Sequence, residues 1–355
     1  MDELLNIPPY SLGREDKSEH LLGLVNSLHQ HHLAKCEAYK SISNVLFDGI
    51  SKIKTLEELP YLPVSLFKTH ALKSIADKDV YKVLTSSGTT GDTPSKVYLD
   101  QKTASLQSLA LSKIMTHVLG KSRLPMLIID SKSVIKERSF SARGAGILGM
   151  SVFGKNHEYL LDEKLGVDSA VIKKFSEQFN GQKILLFGFT YMVWKFLVEQ
   201  NISLDLSNAV LIHSGGWKKM NDMAVDNETF KKELNRKFGL KQCYNFYGMV
   251  EQVGSVYLEN EKGYLHCPNF SDIIIRNPVD LTVQRNGEPG LVQVISTLPE
   301  SYPGHSILTE DIGICMGEDA LSWKGKYFKI IGRAKKADLR GCSDTFAEPI
   351  QAISS

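Results

Sequence analysis

The stretch Leu84-Thr85-Ser86-Ser87-Gly88-Thr89-Thr90-Gly91-Asp92-Thr93-Pro94-Ser95-Lys96 concentrates groups that could do chemistry. Five hydroxyl residues and two glycines occupy the seven positions from Thr85 to Gly91. Glycine lets a backbone turn tightly and bring its N–H groups close to an anion. The hydroxyls add donors and Lys96 adds positive charge. Such a loop can cradle a polyphosphate, although the same composition suits a flexible surface loop. It is not the pattern G-x-x-x-x-G-K-[ST], because no Gly-Lys-Ser/Thr follows.

Three further segments carry polar groups in suggestive order. In Asn245-Phe246-Tyr247-Gly248-Met249-Val250-Glu251 a strand-like run ends in an aromatic residue, a glycine and then a carboxylate. Tyr247 could stack on a base and Glu251 could hold a hard cation such as Mg2+ through oxygen; a core tyrosine and a surface glutamate would read the same way. Leu308-Thr309-Glu310-Asp311-Ile312-Gly313 places an acidic residue in what reads as a turn, where it could accept hydrogen bonds from two ribose hydroxyls or be an ordinary turn aspartate. Ile331-Gly332-Arg333-Ala334-Lys335-Lys336-Ala337-Asp338-Leu339-Arg340-Gly341-Cys342 gathers basic residues around one cysteine. Neighbouring cations favour thiolate over thiol; the alternative is a solvated basic tail with an idle thiol.

Two other patterns are decoys. Gly144-Ala145-Gly146-Ile147-Leu148-Gly149 matches G-x-G-x-x-G, but the preceding strand-like run ends at Asp130, too far upstream for a tight βα turn. Ser214-Gly215-Gly216 follows a strand but lacks the G-x-S-x-G elbow of a serine hydrolase.

The order of the four motifs resembles the adenylate-forming superfamily of acyl-CoA synthetases, peptide-synthetase adenylation domains and firefly luciferase. Its phosphate loop is similar to Ser86, Ser87, Gly88, Thr89, Thr90 and Gly91, with Lys96 behind. Its aromatic-Gly-x-x-Glu segment is matched by Tyr247, Gly248 and Glu251. Its ribose-binding aspartate falls at Asp311, and its hinge motif G-R-x-[DK] at Gly332, Arg333 and Lys335. Gly215 and Gly216 resemble the segment lining the adenine face. Within the superfamily the chain looks most like the LuxE-type acyl-protein synthetases, which carry a cysteine near the C-terminus that accepts the acyl group as a thioester; Leu339 to Asp344 places that acceptor at Cys342. The resemblance implies ATP and Mg2+ as cofactors, a carboxylic, fatty acid substrate, catalytic roles for Cys342, Arg333 and Lys335, and a reductase-like protein that takes the acyl group. Alternatives are a ligase that uses coenzyme A or a carrier protein, and a non-catalytic nucleotide-binding subunit. The chain departs from the wider superfamily in two places. It ends 13 residues after Cys342, leaving no room for the small C-terminal domain and its catalytic lysine, and Pro94-Ser95-Lys96 is one residue longer than the usual Pro-Lys-Gly.

The elements that must position these groups follow from periodicity. Residues 1–80 read as a helical N-terminal segment, with helices over Lys17 to Lys35 and Ala38 to Lys54, and with His29, His31 and His32 on a solvated face. Residues 81–253 alternate strand and helix, the mark of an α/β core with mainly parallel sheet flanked by helices. Strands are expected at Met126 to Ile129, Ile184 to Phe187, Ala209 to Ile212 and Tyr244 to Phe246. Residues 254–332 read as a β-rich subdomain with turns at Asn286-Gly287 and Pro289-Gly290, and 333–355 as a hinge-like tail. The acid's pocket is expected between the halves, with Phe187 to Tyr191 and Ser139 to Met150 as walls.

Composition bounds the function. The 355 residues are 42% hydrophobic and 23% charged, as in a soluble globular protein. A formal net charge of +2 gives no reason to expect nucleic acid or a membrane surface as partner. No run approaches the roughly 18 apolar residues of a membrane span, and MDELLNIPPY is not a signal peptide. Five scattered cysteines argue for a reducing, cytoplasmic setting and against a disulfide framework or zinc site.

Overall fold

A computed structural model describes residues 2–86, 93–135, 142–217 and 224–334. The strands are β1 Leu62–Pro63, β2 Lys82–Thr85, β3 Lys96–Leu99, β4 Leu124–Ser131, β5 Gly154–Leu161, β6 Ile184–Phe189, β7 Ala209–Ser214, β8 Gln242–Tyr247, β9 Tyr257–Glu259, β10 Leu265–His266, β11 Ser271–Arg276, β12 Pro289–Ser296, β13 Ser306–Glu318 and β14 Lys326–Arg333. The helices are α1 Asp2–Asn6, α2 Arg14–Lys35, α3 Glu37–Phe47, α4 Leu66–Thr69, α5 Gln101–Leu119, α6 Ala142–Ser151, α7 Ser169–Gln178, α8 Thr190–Val193, continued by a π-helical turn Trp194–Val198, and α9 Asn227–Phe238.

One sheet runs through the molecule in the order β11-β12-β13-β14-β10-β9-β8-β7-β6-β4-β5, with β1 parallel to the start of β13. From β5 to β8 every pairing is parallel. At β8 the sense changes: β9 pairs antiparallel to it, Phe246 opposite Leu258 and Tyr247 opposite Tyr257, and the antiparallel strands continue from there. β2 and β3 form a separate hairpin.

Alternation along the parallel strands sends side chains to two cores. Leu127, Ile129, Leu186 and Leu211 meet α7, α8 and α9 on one face. Met126, Ile128, Phe187 and Ile212 meet α5 and α6 on the other. Strands buried on both faces read as unbroken apolar runs, which is why their sequences announced them. On the antiparallel half, α3 and α4 cover Val292, Val294 and Phe328, and α2 packs Leu21 and Val25 onto Ile274 and Ile295. Caps fix the helix starts: Asp100, Asp168 and Asp226 each accept backbone N–H bonds from the first turn of α5, α7 and α9.

The structure corrects four sequence expectations. His29 and His32 are not solvated; both are 0% exposed, and His31 is half-buried. Leu21, Val25, Leu28, His29 and His32 form one helical stripe, and polar partners inside the protein make imidazole burial tolerable. The helix expected to reach Lys54 stops at Phe47, because Asp48 and Gly49 both adopt left-handed backbone. Pro289-Gly290 opens β12 instead of forming a turn; a Cβ on Gly290 would lie 2.3 Å from the Arg276 carbonyl oxygen. Asp311 sits inside β13, not in a turn. The glycines of Gly144 to Gly149 lie within α6, so no phosphate-binding βα turn exists there.

Candidate active site

The parallel strands β4, β6, β7 and β8 end along one crest, at Ser131, Phe189, Ser214 and Tyr247. The carboxyl ends of parallel strands are where open α/β sheets bind ligands. Past the end of β7, Gly215 has φ +81°, and a Cβ there would lie 3.1 Å from the Phe189 ring. Glycine therefore satisfies both the backbone and the close approach. Since Ser214 pairs with Phe246, the Gly215-Gly216 segment emerges beside Tyr247.

Tyr247, the last residue of β8, donates its hydroxyl to Asp311 Oδ2 at 2.6 Å. Burial first, and then the Asp311 charge, push the phenol well above its ordinary range, so it remains a donor. Asp311 and Arg333 are directly paired across the β13–β14 ladder, and Arg333 Nε lies 3.5 Å from Asp311 Oδ1. The backbone is fixed on both sides: Asp311 N–H donates to Thr309 Oγ1 at 3.1 Å, and Ala334 N–H to the Glu310 carbonyl at 2.8 Å. Among the described residues each carboxylate oxygen of Asp311 therefore has one side-chain partner and retains lone pairs for more donors.

Glu251 lies on a 3-10 turn, Val250–Gln252, four residues past Tyr247. It is 5% exposed, and among the described residues its carboxylate has no hydrogen-bond or ion-pair partner. A buried carboxylate without a cation is costly, and oxygen donors of this kind suit a hard divalent ion.

The β2–β3 hairpin packs Leu84, Val97 and Leu99 into the same core as Met249 and Val250. Its neck is closed by Ser86, whose N–H donates to the Ser95 carbonyl at 3.1 Å and whose Oγ accepts from Ser95 N–H at 2.9 Å. Lys96 opens β3 opposite Thr85 with its side chain exposed. The structure thus unites Tyr247, Asp311 and Arg333, sets Gly215, Gly216, Gly248 and Glu251 along the same crest, and holds Ser86 and Lys96 at the base of the neighbouring hairpin. Ser87, Gly88, Thr89, Thr90, Gly91, Lys335 and Cys342 lie outside the described residues.

Two crest groups were not singled out from sequence. Asp130, 1% exposed at the end of β4, receives two bonds from Arg143, at 2.9 and 2.8 Å. Burial opposes the guanidinium charge, but Asp130 and then Tyr191 outweigh it and hold Arg143 above its ordinary range. The signal was an aspartate ending an apolar run. His213 is fully buried in β7, with Nδ1 3.0 Å from Thr190 Oγ1. Burial first, and then Lys231, lower it to about 3, so the ring is neutral.

No described helix is long and apolar enough to cross a membrane, and among the described residues no His, Cys, Asp and Glu cluster could hold a metal by itself. The acyl-protein synthetase family LuxE matches residues 1–351. A long-chain-fatty-acid–luciferin-component ligase of Aliivibrio fischeri is 24% identical, over 99% of this chain and 94% of its own. Its namesake from Vibrio harveyi is 24% identical, over 93% of this chain and 88% of its own. Among solved structures, a 2-hydroxyisobutyryl-CoA ligase in complex with 2-HIB-AMP and CoA superposes with a TM-score of 0.67 at 14% identity, covering 93% of this chain and 70% of that one. The crest and its antiparallel flank therefore share the fold of adenylate-forming ligases, and the chain, a ligase, belongs to the LuxE family of acyl-protein synthetases.

Proposed function

We propose that this protein activates a fatty acid with ATP to give acyl-AMP, then carries the acyl group on Cys342 as a thioester for delivery to a reductase-like protein partner. The observation that carries the reading is the Tyr247–Asp311–Arg333 cluster. A carboxylate with one described partner on each oxygen is suited to two ribose hydroxyls, with Tyr247 and the Gly215-Gly216 segment flanking the base. The names of the Aliivibrio and Vibrio relatives point the same way for the acid.

In this reading the acid's carboxylate oxygen attacks the α-phosphorus and pyrophosphate leaves. The loop Ser86 to Gly91 and Lys96 donate to the phosphates, and Arg333 stabilises charge from the end of β14. Lys335 adds a second cation on the same segment. Glu251 would hold Mg2+, whose charge offsets that of the departing pyrophosphate. The Cys342 thiolate then attacks the acyl carbonyl carbon and AMP leaves. Reach favours this step: Ala334 is tethered beside Asp311, and the eight residues from there to Cys342 span at most about 28 Å.

The test is intact-protein mass after incubation with ATP, Mg2+ and a panel of fatty acids. The expected result is a gain of one acyl group, removed by neutral hydroxylamine and lost in Cys342→Ala. AMP release that needs added coenzyme A, with no mass gain, would replace the acyl-protein step with transfer to an external thiol.

A further inference from the structure

A cleft of about 650 Å³ lies between α5 and α6, roofed by the β2–β3 hairpin. That is within the size range of small-molecule sites. Its lining is mainly apolar, with Leu84, Leu99, Leu111, Leu148, Val152 and Phe153 among the contributors. Leu148 and Val152 are 43% and 59% exposed, apolar side chains left open on the wall of a concavity. Small residues keep the space clear: Ser108 and Ser112 on α5 face Ala145 and Gly149 on α6.

The inner end fixes what the cleft belongs to. Val250 and Val253 line it, and they bracket Glu251 and Gln252. Gln107, 2% exposed, also lines it; its Nε2 donates to the Tyr302 hydroxyl at 3.2 Å while its Oε1 has no partner among the described residues. The cleft therefore begins beside the turn that carries the candidate metal ligand and runs outward along α5. From Gln107 to Leu119 the helix rises about 18 Å, the extended length of an aliphatic chain on the order of a dozen carbons. Lys82, Lys121 and Arg123 stand among the lining residues as basic groups, so the hydrocarbon must occupy the apolar walls and not the polar rim.

We propose that this α5–α6 cleft, and not the Phe187 to Tyr191 segment alone, receives the unbranched aliphatic tail of the acid, and that Leu111, Ser108 and Ala145 set the chain length accepted. The inference rests on the adenylation reading above, since it needs the carboxylate held near Glu251. Each methylene moved from water onto these walls strengthens binding about fourfold, so efficiency rises with chain length until the cleft is filled.

The experiment is acid-dependent exchange of pyrophosphate into ATP with a series of straight-chain saturated acids. It compares the wild type with Ser108→Trp on the α5 wall, Ala145→Trp on the α6 wall, and Leu109→Trp on the outer face of α5. The expected result is that each wall variant peaks at a shorter acid, with the long-to-short ratio of exchange efficiency reduced at least roughly tenfold, while Leu109→Trp keeps the wild-type profile. A ratio unchanged in both wall variants overturns the assignment and leaves adenylation standing. A wild type that exchanges with no acid overturns both. A measurement on the unmodified protein guards against misfolded variants: a fatty acid bearing a diazirine at its methyl end should label peptides from 101–119 or 142–152. Label found only elsewhere overturns the proposal.

Discussion

Tyr247 and Asp311, 64 residues apart in the chain, are joined by a 2.6 Å hydrogen bond across the seam where the sheet changes from parallel to antiparallel. Tyr247 ends the last parallel strand, while Asp311 belongs to the antiparallel half. Their contact assembles the proposed nucleotide-binding cluster from both. A hydrogen bond to a charged group contributes about 1.5–3 kcal/mol. Asp311→Ala should therefore raise the KM for ATP roughly 10- to 100-fold in pyrophosphate exchange. Tyr247→Phe, which keeps the ring and removes one donor, should raise it less. Equal effects of the two changes would mean that the carboxylate acts only through its bond from the phenol.

Arg333 offers a contrast. Its side chain is 72% exposed, and its Nε lies 3.5 Å from Asp311 Oδ1. An exposed ion pair adds little to folding, so Arg333→Ala should leave the thermal midpoint unchanged while slowing exchange. A clear drop in the midpoint would reassign Arg333 to a structural role.

Glu251 should show the opposite of ordinary core behaviour. Glu251 is 5% exposed, and among the described residues its carboxylate has no partner that the fold would lose with its charge. Glu251→Gln removes the charge and keeps the shape. It should lower Mg2+-dependent exchange by roughly 100-fold or more while leaving the melting temperature equal or higher. A fall in both would assign Glu251 to packing and remove it as the cation ligand.

The parallel strands were legible because burial on both faces writes continuous apolar runs. Tyr247, Glu251, Asp311 and Arg333 were legible as motifs in order. Their junction was not, because it depends on β14 and β13 pairing Arg333 with Asp311, which no local pattern encodes. The α5–α6 cleft was half visible: Ser139 to Met150 was expected to line a pocket, but the facing wall on α5 arises from packing. The histidines of α2 misled because polar type was weighed over position. Their spacing with Leu21, Val25 and Leu28 already placed them on the buried stripe.

Backbone constraints make a prediction at Gly254, which closes the turn after Glu251. It has φ +88°, and a Cβ there would meet the Gln107 backbone at 2.8 Å. Gly254→Ala should cost about 1–3 kcal/mol from left-handed strain alone, and more from the collision. Gly23, exposed within α2 and with nothing near its missing Cβ, should behave the other way: Gly23→Ala should stabilise by about 0.5–1 kcal/mol. Urea midpoints of the two variants check both signs.

The buried imidazoles make stability depend on acid. The Tyr39 hydroxyl lies 2.7 Å from His29 Nδ1 and 3.2 Å from His305 Nε2, and its single proton can go to only one of them. His32 stacks on His305 with ring centroids 4.9 Å apart and bonds to Ser74 Oγ at 2.7 Å. Burial first, and then His31, lower His32 to about 3; burial, then His32, carries His305 well below its ordinary value. A histidine lowered in the folded state binds fewer protons there than in the unfolded chain, so stability rises with pH through that window. Above about pH 7 the contribution is complete. Between pH 6.5 and about 3 His32 should cost about 1.4 kcal/mol for each unit of acidification, with His213 and His266 adding in the same direction. Urea denaturation at pH 7, 6 and 5, above the range where most carboxylates titrate, isolates the imidazoles. His32→Gln, which keeps a donor for the Pro299 carbonyl, should flatten the slope by about 1.4 kcal/mol per unit. A slope unchanged by His32→Gln would show that another group carries the acid sensitivity.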